Sequence, residues 1–148
     1  MKPEIDQILG ITAGQIMGEL VPLLPHPYAQ GTAAIASMML TLSAQEYDRA
    51  ADIRVAENRD MRMLFAELFP LVDDAKLKAR LEEAAYGNDA SLKISALNRN
   101  NYALRELLIA LHEHIEALSG AAARTAETRI WTLLEQLADR RQLSLAPG

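Results

Sequence analysis

Cysteine is absent from the 148 residues. That removes disulfide frameworks, thiolate zinc sites and thiol nucleophiles, and it fits a reducing cytosol. Aromatic residues make up only 5 %, with a single tryptophan, and runs that alternate apolar with polar residues are missing, so β-sheet signals are scarce. No apolar stretch reaches the roughly 18 residues of a membrane span. The opening MKPEIDQILG carries acids where a secretory signal needs a basic and then an apolar segment. A soluble, cytoplasmic protein is the expectation. One sign of charge is missing locally: no lysine or arginine occurs between Lys2 and Arg49, while Glu4, Asp6, Glu19, Glu46 and Asp48 supply five acids. From Arg49 onward 14 basic residues stand against 15 acidic ones, and the net charge is −5. No concentrated basic patch exists to displace phosphate counterions, so nucleic acid is not an expected partner. An anionic membrane surface is disfavoured for the same reason.

What is present favours helices. Half of the residues are apolar, and Ala, Leu, Glu, Gln, Met and Arg dominate. A chain of this length can bury about 68–70 % of the surface its unfolded form exposes, enough for one sizeable core. The fold class expected is all-α: an antiparallel bundle of about five helices in a single domain, residues 1–148, with one long central helix and a frayed tail over 141–148. Prolines punctuate it at 3, 22, 25, 27, 70 and 147. The first helix is predicted from Pro3 to about Leu20, the second from Pro27 or Tyr28 to Phe69, and the third from Asp73 to Tyr86, where Gly87 and Asn88 stop it. The fourth should run from Asp89 to Ser119 and the fifth from Ala121 to Arg140, with Gly120 between them.

Periodicity marks the faces. In the second helix one 3–4 ladder reads Ile35, Met39, Leu42, Glu46, Arg49, Ile53, Glu57, Asp60 or Met61, Leu64, Leu68. The fourth helix has the clearest ladder: Ala90, Ile94, Leu97, Asn101, Leu104, Leu108, Leu111, Ile115, Leu118. Sustained 3–4 spacing of this kind favours near-antiparallel packing. The fifth uses Ala123, Ala126, Ile130, Leu133 and Leu137.

Chemical signatures are few. His112 and His114 have no Glu three residues before them, so the Glu-x-x-His pairs of di-iron bundles are missing. Two residues apart on a helix, these histidines point in directions about 160° different. No HExxH, GxSxG, Walker A or dinucleotide fingerprint occurs. No metal, no cofactor and no catalytic residue is expected, and an enzyme is the less favoured class. Three glycines, Gly10, Gly14 and Gly18, line one face of the first helix. Each costs roughly 0.5–1 kcal/mol relative to Ala in a helix interior, so a compensating close approach is implied. That approach is either tight packing within the chain or a dimer seam, to which Met38 and Met39 could add adaptable apolar surface.

The remaining candidates are polar residues that interrupt the seams: Glu46, Arg49, Glu57 and Asn58 on the second helix, with Asn98, Asn101, Arg105 and His112 on the fourth. A buried Asn in such a seam sets register, and a buried Glu–Arg group must be paired. The alternative is a small-molecule pocket between these two helices, built from Glu46, Arg49, Glu57, Asn58, Asn98 and Asn101. A short echo, AENRDMRML from Ala56 and ALNRNNYAL from Ala96, repeats at an offset of 40.

The segments Leu20–Gln30 (LVPLLPHPYAQ), Glu46–Arg49 (EYDR) and Ala56–Arg59 (AENR) resemble a family of small bacterial helical proteins. Members accompany acyl-CoA dehydrogenases and aminoglycoside-phosphotransferase-like proteins. The likeness spans roughly residues 5–70 and brings no assigned activity and no functional residues. It implies an accessory role near acyl-CoA metabolism. Two functions follow as expectations: a non-enzymatic helical interaction protein, homodimeric or bound to another protein, or a small-molecule binder or minor enzyme in that metabolism.

Overall fold

The computed structural model describes residues 3–144. Helix α1 spans Ile5–Gln15, α2 Pro27–Leu68, α3 Ala75–Ala85, α4 Ile94–Ala117 and α5 Ala121–Arg140, with no strand among the described residues. The fold is therefore all-α, and α2 is its one long helix, 42 residues from one proline to the turn before the next.

The local chemistry accounts for each boundary. After Gln15 the chain widens into a π turn, Ile16–Leu20, in which the Val21 N–H donates to Ile16 O. Pro22 has no N–H to continue an α ladder, so the segment tightens into a 3-10 turn, Val21–Leu23. The side-chain amide of Gln30 then donates to Leu24 O at 2.8 Å and closes the proline connection. Pro70 ends α2 through a second 3-10 turn, Phe69–Leu71. Asp74 caps α3, its carboxylate accepting from the Leu77 N–H at 2.7 Å. Gly120, at φ 111°, sits in a backbone conformation that L side chains rarely adopt and separates α4 from α5. One boundary differs from expectation. Helix α4 begins at Ile94 and not at Asp89, because the Asp89 side chain is drawn into hydrogen bonds with Arg62, Asn58 and Asn100 and holds residues 89–93 out of the helix.

The chain groups into two compact units. Of the described residues, 3–50 with 142–144 form one, and 51–141 form the other. The second holds the hydrophobic core. Met61, Leu64, Phe65 and Leu68 of α2 pack with Leu81 of α3, Leu104 to Ile115 of α4 and Ala126, Ile130, Leu133 and Leu137 of α5. The α5 ladder is buried at every position and the α4 ladder from Leu97 to Ile115, whereas Ala90 and Ile94 are exposed and Leu118 is half-buried. Polar pairs give the helix directions. Arg54 meets Asn98 and Glu57 meets Asn101, so α2 and α4 advance in parallel. Asp60 meets Arg140 and Glu67 meets Arg129, so α5 runs opposite to α2. Helix α3 carries the chain back between α2 and α4, and successive helices alternate in direction.

The first unit is a hairpin of α1 against the N-terminal half of α2. Its link is Ser37, which is buried and donates its hydroxyl to Ala13 O at 2.7 Å. Ile35 and Met39, both on the expected apolar ladder, are instead 58 % and 57 % exposed.

Leu111 has no exposed surface and sits amid the α4 and α5 ladders. Leu111→Ala should cost about 2–5 kcal/mol. Urea unfolding followed by circular dichroism measures this, and a loss below about 1 kcal/mol would mean that the core is not close-packed there.

Candidate functional site

The second unit buries a charge. Glu57 has no exposed surface, and neither do Asn58 and, within 1 %, Asn101 beside it. Glu57 and Asn58 fall on the inward face of α2, and Asn101 occupies the position of the α4 ladder where a leucine would otherwise stand. A carboxylate at such a site must be hydrogen-bonded or neutralised, and its partners come from α4 and from the end of α5. Arg141, just past α5, donates from Nε to Glu57 Oε1 and from Nη2 to Oε2, both at 2.6 Å. Arg105 Nη2 reaches Oε2 at 3.3 Å, and Asn101 Nδ2 donates to the same oxygen at 2.9 Å.

The bonds continue outward. Asn101 Nδ2 also donates to Asn58 Oδ1 at 2.9 Å, while its own Oδ1 accepts from Arg105 Nε. Asn58 Nδ2 donates to the Asp89 carboxylate at 3.1 Å. Asp89 further accepts from Arg62 Nη2 at 2.9 Å and from Asn100 Nδ2 at 2.8 Å. One connected network thus joins α2, the segment before α4, α4 itself and the end of α5.

The electrostatics follow from these contacts. Burial on its own would raise the Glu57 pKa, but the Arg141 bonds, the Arg141 and Arg105 charges and the Asn101 amide outweigh it and hold the carboxyl below its ordinary value. Asp89 is likewise pushed up by burial and brought down further by Arg62, Asn100 and Asn58. Asp60 follows the same balance with Arg140 and Arg59. All three are ionised, paired acids. With both Glu57 oxygens and the neighbouring amides spent on internal partners, the cluster suits a register lock better than a pocket for an added ligand.

Of the residues grouped by sequence, the structure brings together Glu57, Asn58, Asn101 and Arg105. Asn98 sits about one turn earlier on α4 and accepts from Arg54 Nε at 3.0 Å. Glu46 and Arg49 belong to the other unit, where Arg49 Nη1 donates to Gln142 O at 3.0 Å. Gln45 and Ser144 also pair there, through both the amide and the backbone. The tail expected to fray from residue 141 is therefore held as far as Ser144, and residues 145–148 lie outside the described residues. Arg141, Asp89, Arg62 and Asn100 escaped the sequence reading. The Arg140–Arg141 pair directly after the α5 ladder was the one available signal. The histidines do diverge: His112 packs its ring edge-on to Trp131, and His114 lies 3.1 Å from Asp73.

Of the sequence-derived interface candidates, Gly10, Gly14 and Gly18 look onto open space. A Cβ added to any of them would meet no atom within 4 Å. Gly10 and Gly14 border a groove of about 580 Å³ in the hairpin, shared with Ala13, Met17, Ile35 and Met38. Met38 is half-buried and Met39 exposed. Tight packing inside the chain is thus not what compensates these glycines.

Set against models of known protein families, curated proteins and solved structures, the chain matches none of them.

The network yields a pH prediction. Glu57, Asp60 and Asp89 are more acidic folded than unfolded, so in acid the unfolded chain binds protons first and stability falls as pH drops. Thermal stability should hold between about pH 7 and 5 and decline below roughly pH 4.5, where free carboxyls titrate. Glu57→Gln should cost about 2–4 kcal/mol at neutral pH, below a fully buried pair because Arg105 and Arg141 keep contact with water. The variant's acid decline should be shallower. Parallel melting curves of the two proteins from pH 7 to 3 check both.

Proposed function

We propose that this protein works by association: a non-enzymatic helical interaction protein whose α1–α2 hairpin pairs with a second copy of itself. The observation that carries the proposal is the uncovered glycine face. Three glycines on one stripe lower the stability of an isolated helix, yet no atom of the described residues lies within 4 Å of where their Cβ atoms would stand. A closely approaching helix from another molecule supplies the missing compensation.

The surroundings support it. Ile5, Ile8, Ile11 and Leu20 are 42–62 % exposed, as are Met17 and Ile35 at 47 % and 58 %. Exposed apolar side chains in this number on one hairpin favour an interaction site, and Met17 and Ile35 border the groove with Gly10 and Gly14. No charged residue occurs from Leu20 to Gln45, nor from Gln7 to Gly18. A charge-free surface needs no complementary charges on its partner, and the identical surface of a second copy satisfies that condition. Self-complementary pairing about a two-fold axis is the commonest way such a face is covered. The resemblance seen in residues 5–70 extends the proposal to an accessory role near acyl-CoA metabolism, and the cysteine-free composition to a cytoplasmic setting.

Light scattering after size exclusion tests the pairing. The expected mass is twice 16.3 kDa at micromolar concentration. Gly14→Leu should weaken the dimer by tenfold or more while leaving helix content unchanged, since the single chain has room for the added side chain. Gly10→Ala with Gly18→Ala separates the alternatives further. On an uncovered face these changes raise stability by about 0.5–1 kcal/mol each, whereas in a seam they loosen the dimer. A strict monomer that the alanines only stabilise ends the proposal.

A further inference from the structure

Helices α4 and α5 bring three metal-ligating side chains to one point beside their connecting turn. His112 and Glu116 stand one turn apart on α4, and Glu127 comes from α5. One donor atom from each lies within 4.8 Å of the other two. The geometry points to a divalent-cation site of the zinc class, formed by His112, Glu116 and Glu127.

The state of His112 is the first support. Its Nε2 is fully withdrawn from solvent and has no hydrogen-bond partner, although Glu116 Oε1 lies 3.4 Å away. A buried nitrogen without a partner is unfavourable, and a carboxylate oxygen lies beside this one without bonding to it. An ordinary i,i+4 ion pair accounts for Glu116, but it leaves the nitrogen unbonded and gives Glu127 no part. A metal ion uses all three groups.

The spacing is the second support. Tetrahedral zinc holds nitrogen and oxygen ligands at about 2.0–2.2 Å, which sets the ligand-to-ligand edge at roughly 3.3–3.6 Å. The His112–Glu116 distance of 3.4 Å falls within that edge. Glu127 reaches the same edge by adjusting its side-chain torsions, and it is only half-buried and able to do so.

The donor set chooses the ion. One imidazole with two carboxylates favours zinc and its first-row neighbours over magnesium or calcium, which take oxygen alone. Three protein ligands leave a fourth position for water, on the side where Glu116 is exposed. The imidazole is oriented beforehand, because its ring meets Trp131 edge-on, with centroids 5.4 Å apart and planes at 86°. An ion here joins α4 to α5 a few residues from Gly120 and pins that hairpin. The site lies in residues 112–127, outside the face proposed for pairing, so either proposal can fail without the other.

Trp131 is the only tryptophan in the chain and serves as a reporter. Co²⁺ titrated into the full-length protein should quench its emission, saturating at one equivalent per chain. Visible absorption of low-symmetry cobalt should rise with the same curve. Zn²⁺ should reverse both signals and raise the melting temperature, while Mg²⁺ should do neither. Glu127→Gln should weaken Co²⁺ binding at least about tenfold, the least expected for a direct ligand when its supporting shell alone is worth about 10–100-fold. His112→Gln should abolish the absorption band. Circular dichroism of both variants, and Glu127→Ala as a second change at the exposed edge, keep loss of fold apart from loss of a ligand. Absence of quenching in the unaltered protein, or quenching that Glu127→Gln and His112→Gln leave intact, would overturn the site.

Discussion

The carboxylate of Glu57 is what the rest of the second unit is arranged around. An ion removed from water is tolerated only when donors of fixed geometry replace its hydration. Here they are Arg141, Arg105 and Asn101, each from a different place along the chain. Sliding α4 by one turn past α2 would withdraw Asn101 from both Glu57 and Asn58 and strand a buried charge. The apolar ladders alone would accept such a slip, because Leu104, Leu108 and Leu111 are interchangeable knobs. The polar bonds therefore choose one register among several that the hydrophobic effect would accept. Asp89 extends this choice to the connection between α3 and α4 by keeping residues 89–93 from joining the helix.

Helix α2 serves two kinds of chemistry along its length. In its C-terminal half, Met61, Leu64, Phe65 and Leu68 are covered by three other helices. In its N-terminal half one helix lies alongside, and Ser37 and Ala50 are its only buried residues among those described. A two-helix hairpin has too little mutual surface to bury two apolar faces, so much of its hydrophobic surface stays in contact with water. The sequence reflects the difference. Charge is plentiful where the helix is fully packed and its outer face alone meets solvent. It is missing where apolar groups themselves remain outside.

Much of the bundle was legible beforehand, and the reasons are specific. The α4 and α5 ladders repeat every three or four residues, and between Leu97 and Ile115 and along α5 the positions the spacing marks are buried, with Leu107 buried beside them. Pro27, Pro70, Gly87 and Gly120 stop or start helices by simple stereochemistry. The long α2 ladder misled. A straight helix drifts about 20° per heptad against a strict seven-residue repeat, so Ile35 and Met39 at one end do not share a buried face with Leu64 and Leu68 at the other. Glu46 and Arg49, which the same spacing groups with Glu57, lie further toward the start of α2 and so fall in the other unit. Asn58 and Asn101 were legible as polar interruptions of apolar ladders. Arg141 was not, because its role depends on a contact 84 residues away. His112 was legible as a polar residue of α4, but its closeness to Glu127 was not, because Glu127 arrives only through the turn at Gly120.

That 84-residue separation has a bearing on how the protein is made. Synthesis at about 5–20 residues per second releases Arg141 some 4–17 s after Glu57. Through that interval the nascent α2 carries a carboxylate on its inward face, with Arg105 joining it only partway. A ribosome-bound chain without Arg141 is thus held back from sealing its interior, since closing early would trap a half-neutralised acid. The charge balance that seals this core is complete only once nearly the whole described chain has been made.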